Sequence, residues 1–333
     1  MNNLGYLNQD INNQKMEDNM SDPDESFENK RQERIEAAEH IITSYLPREE
    51  GRQKTVIEAM NYSVLAGGKR LRPVLMKEAY QMFGGRNEMI IGPFMAAIEM
   101  IHTYSLVHDD LPALDNDEFR RGKKTTHALY GAGMATIAGD GLLNFAFETA
   151  LSAAKECDDL PEYDGSVSSR ILAALTILAE KAGIYGMIGG QCADIEAEHR
   201  SDLSADDLLY IHENKTGALI EGALMIGAVL AGASANDVHK MEQIGQSVGV
   251  AFQIQDDILD VVGNQDKLGK PIGSDEKNEK TTYVTFYGLE KSKEEVERLS
   301  DEALSLLREL ESSEGHEDLF LENLITWLIH RDN

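Results

Sequence analysis

Apolar residues recur at three- and four-residue intervals through most of the chain, in stretches longer than strands require, and this spacing predicts helices almost throughout. The first pattern runs from Phe27 to about Leu46, with Ile35, Ala38, Ile41 and Ile42 near one face, and Pro47 marks its end. A second runs from about Arg52 to Leu65. Gly67-Gly68 interrupts the pattern, and Pro73 stands where it can open the next helix, which reaches Phe83. Strongly apolar helices are predicted from Met89 to His108 and from Gly133 to Ala154, and further ones at about 170–199, 204–232, 235–263, 281–289, 291–312 and 316–330. Glu156 to Ser169, with Asp158, Asp159, Pro161, Asp164 and Gly165, reads as a polar surface loop; it is no domain boundary, because helical texture resumes at Ile171. Neither a strand-helix-strand rhythm nor a repeat of fixed period is visible. The expected fold class is all-α, one large helical domain over residues 29–333.

Composition sharpens this picture. Residues 1–28 are rich in Asn, Asp and Glu and poor in large apolar groups, so they read as a disordered acidic tail. The whole chain of 333 residues is 42% hydrophobic and 27% charged, enough to bury a sizeable core, and its 6% aromatic content favours helix over sheet. A formal charge of −28 repels phosphate backbones and anionic lipid, so nucleic-acid and membrane-surface binding are disfavoured. An acidic protein binds phosphates through metal ions on its carboxylates and through local Lys/Arg clusters. Cys157 and Cys192 form neither a disulfide framework nor a Cys/His zinc spacing. With no charged and apolar leader and no uninterrupted apolar run near the roughly 18 residues that span a bilayer, the expectation is a cytoplasmic chain without an integral membrane segment.

Two acidic clusters carry the candidate chemistry. His108-Asp109-Asp110-Leu111-Pro112-Ala113-Leu114-Asp115-Asn116-Asp117 follows the apolar run Ile98 to Val107, and carboxylates crowded at a helix end call for an external cation such as Mg²⁺. On an unbroken helix Asp109 and Asp115 would point apart, but Pro112 cannot continue the hydrogen-bond ladder, and a turn there could return Asp115 toward Asp109. In Phe252-Gln253-Ile254-Gln255-Asp256-Asp257-Ile258-Leu259-Asp260, Asp256 and Asp260 are four residues apart and share a helix face. Such a pair makes half of a Mg²⁺ site, since this ion takes one or two carboxylates plus phosphate oxygens and water. Basic groups complement them. Gly67-Gly68-Lys69-Arg70-Leu71-Arg72-Pro73 puts three cations at a helix start, where free N–H groups add positive potential, and Arg120-Arg121-Gly122-Lys123 closely follows the first acidic cluster.

The segments GGKRLRP, HDDLPALDND with EFRRGK, ENKTG, FQIQDDILD and GKPIGSDEKNEKTTYV, in this order over about residues 40–331, resemble the motif series of trans-isoprenyl diphosphate synthases, bacterial farnesyl diphosphate synthases in particular. The resemblance implies a helical bundle around a deep central cavity, usually a homodimer, with the acidic motifs facing each other across the cavity mouth. It implies Asp109, Asp115, Asp256 and Asp260 as ligands of several Mg²⁺ ions, with Mn²⁺ able to substitute and Asp110 in support. By the same resemblance Lys69, Arg72, His102 and Arg121 take isopentenyl diphosphate, and Arg120, Lys215, Thr216, Gln253 and Lys270 take the allylic diphosphate, with Lys280 nearby.

The implied reaction is ionisation of the allylic C–O bond, attack by the double bond of isopentenyl diphosphate, and proton loss. The backbone near Lys215-Thr216 and the Gln253 side chain would stabilise the cation, and departed diphosphate is a plausible base. Tyr104, five residues before Asp109, would lie roughly 7–8 Å deeper along the helix and floor the cavity at farnesyl length, with Ser105 beside it as a second chain-length position. Geranylgeranyl diphosphate is the alternative product. A terpene cyclase would not need GGKRLRP, a catalytically silent partner subunit would be expected to lack an acidic or basic element, and a purely structural protein would leave the aspartate motifs unexplained.

Overall fold

The computed structural model describes residues 23–157, 165–198, 200, 202–262, 282–315 and 318–329, and these are overwhelmingly helical. Helices α1 (Pro23–Ser44), α2 (Lys54–Val64), α3 (Leu71–Met82) and α4 (Glu88–Asp109) follow the predicted order. α1 begins inside the stretch expected to be tail. α4 lies at the centre: Phe94, Met95, Ala96, Ala97, Ile98, Met100 and Ile101 are fully buried, which is why its sequence is apolar on every side. Around it pack α1, α2, α3 and α6 (Ala132–Cys157). α6 presents Ala135, Ala138, Leu142, Ala146, Ala150 and Ala153 at three- and four-residue spacing, a narrow stripe that brings it close to α4.

Between α4 and α6 stand a small hairpin, β1 (Phe119–Arg120) paired antiparallel with β2 (Lys123–Lys124), and the short α5 (Thr126–Tyr130). Strands of two residues are too short for any periodicity, so the sequence did not predict them. Arg121 (φ 54°) and Gly122 (φ 73°) both have positive φ, as a tight hairpin turn of matching twist requires.

The segment expected as one helix over 170–199 is two, α7 (Gly165–Ala182) and α8 (Met187–Ala197), broken at Gly183–Gly186. The segment 204–232 is also divided: α9 (Ala205–Ile211) passes through a π-helical turn, His212–Gly217, into α10 (Ala218–Ala231). α11 (Ala235–Val262), the short α12 (Tyr283–Tyr287), α13 (Leu289–Glu314) and α14 (Phe320–Ile329) complete the bundle. α10 packs on α3, α7 and α11, while α13 lays Val296, Leu299, Ala303, Leu307 and Leu310 against α11.

Two stretches are long and apolar enough to cross a membrane by length and composition, although no single uninterrupted run suggested one. One is α4, whose apolar window is 83% buried as a core helix; the other is Gly165–Ala197, across α7 and α8, whose window is only 33% buried.

Candidate active site

α4 ends at Asp109, and Asp110 keeps helical dihedrals as its C-cap. The Leu111 N–H still reaches the His108 carbonyl, but the Asp115 N–H donates to the Asp109 carbonyl at 2.9 Å and the Asn116 N–H to the Leu111 carbonyl at 3.1 Å. Asn116 closes this turn at φ 53°, a conformation asparagine tolerates. The chain folds back at Pro112 and carries Asp115 toward Asp109. Burial pushes the Asp109 carboxyl up to about 6; Lys215 and Arg120 oppose that shift, while Asp115 and Asp110 add to it. Asp110 is buried and accepts from Arg120 Nε at 2.7 Å, and Arg120 also lies 3.8 Å from Asp117.

Lys215 and Thr216 belong to the π turn, a local widening of the helix that recurs at functional sites. Lys215 Nζ donates to Asp194, a buried residue of α8, and its charge bears on Asp109 across the site. The π turn presses against α8 at Gly190, where a Cβ would stand 2.1 Å from the Lys215 nitrogen, so only glycine fits. Thr216 Oγ1 donates to Gln253 Oε1 at 3.1 Å, which ties the turn to α11. Gln253, Asp256 and Asp260 follow at three- and four-residue intervals on one face of α11; Asp260 is buried and Asp256 half-buried. Asp257, between them, accepts from the Tyr283 N–H at 2.8 Å and lies 3.8 Å from His212, so it fastens α12 and the π turn to α11. Lys270 and Lys280 lie outside the described residues.

The basic residues divide into two roles. Arg70 opens α3 at φ 48° with its guanidinium buried, donating to Glu99 and to the Val64 carbonyl, each at 2.7 Å; it is an internal ion pair and not a surface cation. Arg72 and His102 are half-buried, and Arg121 Nη1 donates to the Gly67 carbonyl. Burial, followed by the charges of Arg72, Arg121, Arg70 and Arg120, holds His102 well below the usual histidine range. Among the described residues Arg72 Nε is buried without a hydrogen-bond partner. A neutral imidazole ringed by guanidinium groups, one carrying an orphan donor, is arranged to receive an anion. Lys69 is exposed and stands apart from this group, its ammonium 5.5 Å from the centroid of Trp327, which Arg31 covers at 4.3 Å.

Tyr104 is buried on α4; burial and then the Asp109 charge push its phenol up to about 12, and its hydroxyl has no hydrogen-bond partner among the described residues. Ser105 is half-buried and donates to the His102 carbonyl at 2.9 Å. Asp194, Glu99 and Asp257 are the site residues that sequence reasoning missed. Asp194 had a signal: it lies four residues after Gly190 and therefore on the same face of a short apolar helix.

The donor set fits Mg²⁺. Its candidates are hard carboxylate oxygens, and Asp109 has a carboxylate that burial disfavours and a cation would favour. Among the described residues no three acidic, His or Cys side chains converge to hold a metal alone, which suits an ion that shares its coordination with phosphate and water.

Acidic helix ends and a histidine close to several arginines stand together within one all-α bundle, a donor set suited to phosphorylated ligands. The chain belongs to the polyprenyl synthetase family, whose family model matches residues 53–318. It is 42% identical over 271 residues to the geranylgeranyl diphosphate synthase of Cyanophora paradoxa, covering 81% of this chain and 86% of that one. It is also 42% identical over 272 residues to the farnesyl diphosphate synthase of Geobacillus stearothermophilus, covering 82% and 87%. In three dimensions it matches the crystal structure of an FPP/GFPP synthase from Zymomonas mobilis with a TM-score of 0.76 at 29% identity, over 91% of this chain and 99% of that one. It is a prenyltransferase of isoprenoid biosynthesis with the all-α fold of these enzymes.

Proposed function

We propose that this chain joins isopentenyl diphosphate to dimethylallyl and then geranyl diphosphate, giving trans,trans-farnesyl diphosphate, as a Mg²⁺-dependent cytoplasmic homodimer. The observation that carries the product assignment is Tyr104, a bulky buried side chain five residues below Asp109 and near enough to feel its charge. Arg72, Arg121 and neutral His102, joined by Lys69, hold isopentenyl diphosphate, whose oxygens satisfy the orphan Arg72 Nε. Asp109, Asp115, Asp256 and Asp260, supported by Asp110, hold the Mg²⁺, which when bound neutralises charge on the allylic diphosphate. Lys215 and Arg120 add fixed positive charge beside the same leaving group. Carbonyl dipoles of the π turn and the second lone pair of Gln253 Oε1 face the developing allylic cation, and Thr216 holds Gln253 in that orientation. The homodimer reading rests on the apolar side chains exposed along adjacent elements, Leu151 on α6, Leu172 on α7, and Ile184 and Tyr185 in the following turn.

The second reading is a geranylgeranyl-forming enzyme. It is favoured by Ser105, one helical turn before Asp109, whose small side chain leaves room where a bulky one would block a longer chain. The test is turnover of the purified chain with labelled isopentenyl diphosphate and dimethylallyl or geranyl diphosphate, with and without Mg²⁺, read by chromatography. A Mg²⁺-dependent fifteen-carbon product is expected, and Tyr104→Ala should lengthen it. A twenty-carbon main product overturns the farnesyl assignment, and no product from folded protein overturns the enzyme reading.

A further inference from the structure

We propose that His108 and Gly139 are specificity-determining residues: the His108 imidazole, seated on the bare backbone of Gly139, wedges Tyr104 in place and so fixes product length. The proposal rests on Tyr104 as the cavity floor. Tyr104 and His108 are four residues apart on α4, their ring centroids 5.7 Å apart and their planes at 82°, the edge-to-face arrangement that aromatic pairs prefer. His108 is fixed from the other side by α6. Its Nε2 donates to the Thr136 carbonyl at 3.1 Å, and because a carbonyl only accepts, this nitrogen must carry the proton. Asp140 lies 3.8 Å from the same nitrogen.

The ring has room there because residue 139 has no side chain. A Cβ on Gly139 would lie 2.2 Å from Nε2, 2.4 Å from Cδ2 and 3.0 Å from Cε1, so the imidazole lies directly over the glycine. Glycine inside a helix weakens it, and at 139 it admits a ring between two closely packed helices. Tyr104 needs such a support. Its hydroxyl has no hydrogen-bond partner among the described residues, so the phenol is positioned by packing, and the His108 ring is an aromatic contact for it. Without the imidazole, the phenol could turn aside and open the cavity beneath the growing chain. His108 and Gly139 thus act through Tyr104 and need not touch substrate.

The experiment measures product-length distributions from dimethylallyl and isopentenyl diphosphates for Tyr104→Ala, His108→Ala, His108→Phe, Gly139→Ala and the double variant Gly139→Ala/His108→Ala. Each distribution is a ratio within one sample and does not depend on the fraction of active enzyme. His108→Ala should raise the ratio of the product one isoprene unit longer to the wild-type product roughly threefold, in line with loss of one edge-to-face contact. His108→Phe, which keeps a ring in the seat, should retain the wild-type ratio. Gly139→Ala should raise the ratio by evicting the imidazole, and should add nothing in the His108→Ala background. A merely structural role for Gly139 would act in both backgrounds. If Tyr104→Ala lengthens the product while His108→Ala and Gly139→Ala leave it unchanged, the wedge is overturned and the floor stands; if Tyr104→Ala changes nothing, both fall. Because His108 adjoins Asp109, Gly139→Ala decides the matter alone should His108→Ala lose turnover: an unchanged ratio in it overturns the wedge.

Discussion

Asp109 keeps its carboxylate where burial opposes the charge, and that conflict sets its chemistry. The carboxyl is raised from the usual 3.8 to about 6, so in the free protein the destabilisation from its charge is absent below about 3.8 and complete above about 6. A cation reverses the balance, since it binds only the ionised form. Mg²⁺ binding should therefore weaken as pH falls, the half-saturating concentration rising about tenfold for each unit below pH 6. Calorimetric Mg²⁺ titrations of the native chain and of Asp109→Asn between pH 5 and 8, without added diphosphate, check this, and the substitution should remove the steep part of the pH dependence along with most turnover. A pH-independent affinity would remove Asp109 from the metal site. At this scale much was legible: the doubled aspartates, the fold-back at Pro112 and the shared face of Asp256 and Asp260 all follow from residue type and helical geometry. Arg70 was not. As one of three cations within four residues, nothing in its spacing marked it for the interior, where Glu99, 29 residues away in sequence, holds it.

The element on which the site turns is the π turn between α9 and α10. It brings Lys215 toward Asp109 and Thr216 onto Gln253, and Gly190 of α8 must remain bare to admit it. Gly190→Ala would set a methyl group against backbone, which cannot swing aside as a side chain can. The expected result is at least a tenfold fall in kcat for the condensation and a fall in Tm, with less effect on the KM for isopentenyl diphosphate, whose arginine cluster is elsewhere; steady-state kinetics and calorimetry check it. A variant with unchanged kcat would detach the π turn from the chemistry. α6, α11 and α13 were readable because long apolar stripes repeat at helical spacing, and α4 because its apolar run is longer than a strand requires. The π turn was hidden because one extra residue in a turn barely disturbs a hydrophobic pattern, and its cause, the approach of α8, is a tertiary contact.

For the molecule as a whole, the unresolved balance is the apolar surface left along α6, α7 and the turn beyond. A chain of charge −28 that leaves Leu172 and Ile184 each 66% exposed has a face suited to a second copy of itself. If the proposed dimer forms through this face, replacing Leu151 and Leu172 together by Glu should leave a monomer in equilibrium sedimentation; a monomeric wild-type chain would refute the assembly. An all-α bundle could be read from periodicity, whereas the placement of its acidic and basic motifs around one site could not, because that is a relation among remote helices. That Lys215 stands near Asp109 is a property of the packed bundle and has no local signature.

One feature of this packing gives the protein an optical voice. Trp327 is the only tryptophan in the chain, and both the Arg31 guanidinium and the Lys69 ammonium lie over its ring, bringing together the first helix, the glycine-rich turn and the last helix. All indole emission therefore originates in this one corner, and cations against the ring hold it in a polar field. If Lys69 leaves the ring to meet a diphosphate, the emission must change, without any label or turnover. Adding inorganic diphosphate in the absence of Mg²⁺ should shift or quench the fluorescence of the native chain and not that of Lys69→Met, making the arrival of one substrate's head group visible as light.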